Sequence, residues 1–119
     1  MTLKLNHLHL KTRDPETTAK FYVDTLGAKI VSKNPRGGYR LDLHGLHLNV
    51  TNFLDDQKRE QKYGMEHIAI DTDELDALIE KLKAQGINIL EQTIVSGGRR
   101  VCFFEGPDGV QLEFIEMKA

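Results

Sequence analysis

Cysteine is nearly missing from this chain. Cys102 is the only one, so no internal disulfide can form, and its apolar setting VCFF marks it as a buried strand thiol rather than a reactive one. Long apolar runs are missing as well. Nothing approaches the roughly 20 consecutive apolar residues needed to cross a bilayer, and the opening MTLKLNHLHL lacks the apolar segment of a signal peptide. A cytoplasmic location without membrane partners is the expectation. Basic residues form no run longer than Arg99-Arg100, and a formal net charge of -2 with a pI near 6.2 gives no electrostatic reason to expect nucleic acid. What remains is an ordinary globular composition, 39% hydrophobic and 29% charged over 119 residues, which suits one compact domain.

The first segment, LKLNHLHLK, alternates with period two: Leu8 and Leu10 point one way, and His7, His9 and Lys11 the other. It reads as a half-buried strand. Asp14 followed by Pro15 is an N-cap and first-turn pair, and the run to Leu26 places Ala19, Tyr22, Val23 and Leu26 on one helical face, with Gly27 to close it. AKIVSK, GYRLDL and LHLNVT then read as three strands, separated by NPRGG and by a tight His44-Gly45 turn.

That order, β-α-β-β-β, repeats. GMEHIAID is a strand, and TDELDALIEKLKAQG is a helix with Leu75, Leu78, Ile79 and Leu82 on one face and Gly86 as its stop. INILEQTIV, RRVCFFE and VQLEFIE supply three more strands, separated by SGG and GPDG. His7 lies 20 residues before Gly27 and His67 lies 19 before Gly86, so the halves match in spacing as well as order. We read residues 1–119 as one domain, with module one at about 3–52, a polar exposed connector at about 53–65 and module two at about 66–117. The fold class is α+β: paired βαβββ modules forming a curled, mostly antiparallel sheet with flanking helices.

His7, His9, His47 and His67 fall on strands whose apolar neighbours claim the opposite face, the face the helices are expected to cover. Glu113 sits in the last strand, where Val110, Leu112 and Phe114 form the apolar face and Gln111 and Glu113 the other. Duplication puts His7 and His67 at equivalent positions of the first strands, and His47 and Glu113 in the last strands, so four donors are expected to converge on one centre. Imidazoles with one carboxylate suit Fe, Ni, Zn, Mn or Cu, whereas Ca and Mg prefer oxygen shells.

Three segments carry a resemblance: NHLHLKTRDPETTAKFYVDTLG, GMEHIAID and EGPDGVQLEFIE. They resemble the signature segments of the vicinal-oxygen-chelate superfamily, the glyoxalase, bleomycin-resistance and extradiol dioxygenase group. The resemblance implies paired βαβββ modules around a divalent ion (Ni, Zn, Fe or Mn) that acts as Lewis acid and template for vicinal substrate oxygens. It implies metal ligands His7, His67 and Glu113. The fourth position falls on His47, with Asn49 as the alternative if the register differs. Glu113 and His47 are the expected proton-moving residues, a small-molecule substrate is the expected partner, and a homodimer is the expected assembly.

Among members of that superfamily, the resemblance points first to a glyoxalase-like lyase or isomerase. Lys11 and Thr51 stand where glutathione-using relatives carry an arginine and an asparagine. An extradiol dioxygenase would use His7, His67 and Glu113 as a facial triad, with His47 or His9 as an outer acid or base. Thiol transferases of the fosfomycin-resistance type are similar in LNHL and GGYRLDLHGLHLNV, with Tyr39 at the matching hairpin. A fourth reading is a drug-sequestering protein of the bleomycin-resistance type, which needs no metal. Tyr39, Phe53, Met65 and Phe103 are given no role beyond packing, and Gly97-Gly98-Arg99-Arg100 reads as a hairpin turn with solvated arginines.

Overall fold

A computed structural model describes residues 2–117. Strands β1 (Leu3–Lys11), β2 (Lys29–Lys33), β3 (Tyr39–Leu43) and β4 (Leu46–Thr51) accompany helix α1 (Pro15–Leu26), and strands β5 (Gly64–Thr72), β6 (Ile89–Val95), β7 (Arg99–Glu105) and β8 (Gln111–Glu116) accompany helix α2 (Leu75–Ala84). The chain divides into two compact units. The first runs from His7 to Glu66, and the second joins the residues before His7 to those from His67 onward. The chain therefore crosses from one unit to the other within β1 and within β5, at the bonds preceding His7 and His67.

In the first unit the strand order is β2-β3-β4-β1. β2/β3 and β3/β4 are antiparallel, while β1 lies parallel to β4 with Leu8 opposite Leu48 and Lys11 opposite Thr51. Helix α1 starts where the sequence indicates: the Asp14 carboxylate accepts from Thr17 N at 3.2 Å, Pro15 opens the first turn and Gly27 closes the helix at φ 74°. The His44 ring binds the Leu26 carbonyl at 2.7 Å, and His44 and Gly45 both take positive φ in a two-residue hairpin, which Asp42 fastens through Gly45 N at 2.8 Å. The α1 side of the sheet is the core, made of Leu10, Ala19, Tyr39, Leu41, Leu48 and Val50. Tyr39 is thus a core residue, and Leu26 ends up 44% exposed rather than on the buried face of its helix.

The second unit repeats this topology as β6-β7-β8-β5, with β5 parallel to β8 and the other pairs antiparallel. Leu75, Leu78, Ile79 and Leu82 of α2 pack on Cys102, Phe104 and Phe114. The helix begins at Leu75, the first of its apolar positions, rather than at Thr72, where the run read as helical opens. Thr72 still belongs to β5, opposite Glu116, and its hydroxyl accepts from Glu74 N at 3.1 Å to turn the chain into the helix. The other face of this sheet is not simply polar. Ala69, Val101, Phe103 and Ile115 form a second buried apolar cluster there, with Leu90 against it. Near the crossing, Asn6 Nδ2 donates to Asp71 Oδ1 at 2.9 Å and Thr2 N to Asp73 Oδ1 at 2.9 Å.

Most of the connector is exposed, as its polarity indicates, but not all of it: the Arg59 side chain is only 6% exposed, and Leu54 and Gln61 exchange two 2.8 Å hydrogen bonds that close a loop over 54–61. Arg100 is exposed too, yet its guanidinium binds Asp76 at 2.8 Å and Glu116 at 2.6 Å, fastening α2 to β8.

Candidate metal centre

In the first unit, strand alternation turns His7, His9 and Lys11 to the face away from α1. His7 is 9% exposed and His9 half-buried. Their rings lie 6.0 Å apart at 59°, and one donor atom of each is within 4.8 Å of the other, near enough to share an ion. The parallel register sets His9 against Asn49, and His9 Nε2 meets Thr51 Oγ1 at 2.8 Å, which fixes the orientation of the ring. His47, on the same face of β4 as Asn49 and Thr51, is exposed.

At the end of the histidine row stands Lys11, 2% exposed. Its Nζ donates to Gln57 Oε1 at 3.1 Å; Gln57 Nε2 donates to Glu66 Oε2 at 3.3 Å, and Glu66 Oε1 meets Arg59 at 3.2 Å. Burial pushes the Lys11 amine below its ordinary range, partly opposed by the Glu66 carboxylate. Two cations and one carboxylate are therefore enclosed between β1, the connector and the start of β5.

In the second unit His67 and Glu113 are buried, at 4% and 5% exposure, and His67 Nε2 lies 3.3 Å from Glu113 Oε1. The parallel β5/β8 register produces this contact by placing Ala69 opposite Glu113 and His67 opposite Gln111. Phe103, opposite Glu113 on β7, presents its ring edge-on to His67 at 5.2 Å between centroids. A carboxylate and an imidazole are thus enclosed by apolar walls, where an ionised group needs a partner. An imidazole nitrogen with a carboxylate oxygen is a donor set for a divalent transition ion or zinc rather than for Ca or Mg.

The comparisons with known proteins fit this picture. Residues 4–114 match the family described as Glyoxalase/Bleomycin resistance protein/Dioxygenase superfamily. The chain belongs to this superfamily. A lactoylglutathione lyase of Haemophilus influenzae is 31% identical over 130 residues, covering 98% of this chain and 95% of that one. The metallothiol transferase FosB of Lysinibacillus sphaericus is 31% identical over 113 residues, covering 92% and 79%. Among solved structures, a hypothetical protein of Bacillus halodurans superposes with a TM-score of 0.78 at 21% identity, covering 100% and 97%. Methylmalonyl-CoA epimerase of Mycobacterium tuberculosis does so with 0.73 at 19% identity, covering 98% and 89%. These two likenesses establish the fold: the glyoxalase superfamily fold, α+β with mixed sheets.

Within this superfamily member, sequence reasoning brought forward His7, His67 and Glu113, and the structure buries all three. It passed over the contacts of His9, whose partner Thr51 is set by a parallel pairing invisible to local pattern. It also missed Phe103 against His67, and the Lys11, Gln57, Arg59 and Glu66 network. One signal for Lys11 was available: it shares the parity of His7 and His9 along β1.

Proposed function

We propose that this chain is a metal-dependent, glyoxalase-like lyase or isomerase that acts on a small substrate with vicinal oxygens. The observation that carries the reading is the enclosed His67–Glu113 contact at 3.3 Å. We assign His7, His67 and Glu113 as ligands of one divalent ion, Ni, Zn, Fe or Mn, with the fourth donor from His47. The nearness of His7 and His9 and the exposure of His47 favour a second arrangement, in which His9 takes the fourth ligand place and His47 instead exchanges protons with solvent. The ion, when bound, supplies Lewis acidity to the substrate oxygens.

The protein's own side chains do the rest. Glu113 takes a proton from the substrate carbon and returns it to the neighbouring one; its apolar walls keep water from competing for that proton. Thr51 holds the His9 ring in place, and Phe103 packs the His67 ring. Lactoylglutathione lyases at 31% identity make the hemithioacetal of methylglyoxal and glutathione the first substrate to test. The relative named metallothiol transferase favours a second reading, thiol addition to an electrophile, on the same three donors. We further assign a cytoplasmic homodimer; no helix among the described residues is long and apolar enough to cross a membrane.

The test is turnover of that hemithioacetal, and of thiol plus epoxide, by the metal-loaded protein before and after chelation. Turnover that stops on chelation and returns with the ion supports the proposal. Ligand binding that survives chelation, with no turnover at all, would instead mark a sequestering protein.

A further inference from the structure

The two units match position by position, and the match singles out Arg40. In the second unit Phe103 stands opposite Glu113, and Glu113 opposite Ala69, two residues on from His67. In the first, Arg40 stands opposite Asn49, and Asn49 opposite His9, two residues on from His7. The outer strands agree as well. Each carries its register shift at the same place, so that Ser32 lies opposite Arg40 and Glu91 opposite Phe103. Arg40 therefore holds in the first unit the place that Phe103 holds in the second, and Asn49 stands in the row where the second unit has Glu113.

From that place a side chain reaches the donor row: Phe103 meets the His67 imidazole edge-on at 5.2 Å between centroids. Arginine is longer still. Its strand β3 is interior to the sheet, and Tyr39 and Leu41 on either side of Arg40 are buried in the α1 core, so Arg40 is turned to the face of His7 and His9, where it is exposed. Other charges on this face are taken up. Lys11 Nζ donates to Gln57 Oε1 at 3.1 Å, and the Asp42 carboxylate accepts from Gly45 N at 2.8 Å. The Arg40 guanidinium has no hydrogen bond or ion pair among the described residues, and its neighbour across β4 is a neutral asparagine where the other unit has a carboxylate. A planar cation with its fork of donors open matches a carboxylate brought by a ligand.

We propose that Arg40 anchors the substrate by a carboxylate, at the end remote from the vicinal oxygens. This rests on the metal reading above and names the substrate class for that site: a small acid with vicinal oxygens at one end and a carboxylate at the other. Two strand spacings, roughly 10 Å, separate β3 from β1, and the side chains of Arg40 and the histidines close on the gap from both sides. Only a few bonds then join the two ends of the substrate. Arg40 sets which substrate is held and does not touch the reacting carbon.

The experiment is calorimetric titration of the metal-loaded full chain with two probes. One is the monohydroxamate of succinic acid, whose hydroxamate offers two vicinal oxygens to the ion and whose far end is a carboxylate; the other is the same molecule with that end as a primary amide. Wild type is compared with Arg40→Gln and with Arg36→Gln, which removes the same charge from an exposed arginine of the 34–38 turn. Metal content and circular dichroism are measured on each sample, and both variants are expected to stay folded and loaded. Wild type is expected to bind the acid at least about tenfold more tightly than the amide. Arg40→Gln should lose that preference and keep the affinity for the amide, while Arg36→Gln should keep both. No preference in wild type, a preference that survives Arg40→Gln, or one lost equally in Arg36→Gln would overturn the anchor and leave the metal reading standing. A chain that takes up no ion, or binds neither probe, would overturn the metal reading and the anchor with it.

Discussion

Changing Glu66 to glutamine keeps the shape of the side chain and removes its charge, so Lys11 and Arg59 lose the enclosed carboxylate of this network. The Glu66 side chain is fully enclosed, Arg59 is 6% exposed and Lys11 is 2% exposed, so solvent cannot step in for the lost partner. Removing one member of a buried charge pair costs about 3–5 kcal/mol, because the remaining charge stays desolvated. Small domains have only about 5–15 kcal/mol in total, and with a urea slope of about 1–3 kcal/mol per molar the midpoint should fall by roughly 2 M. The assay is urea denaturation followed by far-ultraviolet circular dichroism, since the chain has no tryptophan. A pH dependence accompanies the loss. The folded-state pKa of Lys11 is depressed by burial, so in the interval above it the unfolded chain binds more protons and stability rises with pH. The deficit of Glu66→Gln should therefore narrow as pH is raised towards about 10. A loss under about 1 kcal/mol, well below the range for a broken buried pair, would refute the reasoning that this network is dry and coupled.

Other outcomes follow from the same structure. Glu113→Gln should weaken metal binding by at least about a hundredfold in a chelator competition, with the fold retained. Leu41→Ala, at a position with no exposure in the α1 core, should cost about 2–5 kcal/mol in the same urea assay. Gly38→Ala should destabilise by about 1–3 kcal/mol, because a methyl group there would sit 2.5 Å from Asn34 Nδ2, whose side chain holds the 34–38 turn, and 3.0 Å from the Val50 carbonyl. Arg100→Met should remove a stabilising contribution that depends on acid. Arg100 holds the Asp76 and Glu116 carboxyls below their usual range, so that contribution is present at neutral pH and disappears as pH falls through those lowered values. Melting temperatures of variant and wild type should converge in acid and separate near neutrality.

Local chemistry was legible where a residue acts on its near neighbours. Asp14, Pro15 and Gly27 bounded α1, His44-Gly45 made the hairpin, and the alternation around His7, His67 and Glu113 gave their faces. What local pattern could not show was pairing at a distance. The parallel β1/β4 register brings His9 to Thr51, and that pairing leaves no mark on either strand alone; the meeting of His67 and Glu113 was legible only through the internal repeat and the resemblance, not from β5 or β8 by itself. Within the largely exposed connector, Gln57 and Arg59 were not legible for a related reason: their polarity looks like that of their solvated neighbours, yet it serves enclosed partners on β1 and β5. The apolar cluster of Val101, Phe103 and Ile115 went unnoticed because β7 is apolar on both faces, which defeats a reading by alternation.

The metal carries the functional account, and its stoichiometry tests that account most directly. Elemental analysis of protein purified without a histidine tag or chelator should find about one divalent ion per chain, Ni, Zn, Mn or Fe, and Glu113→Gln should carry much less. A chain that holds no ion, even after reconstitution with each of the four, would contradict the proposal and leave a binding protein on the same fold.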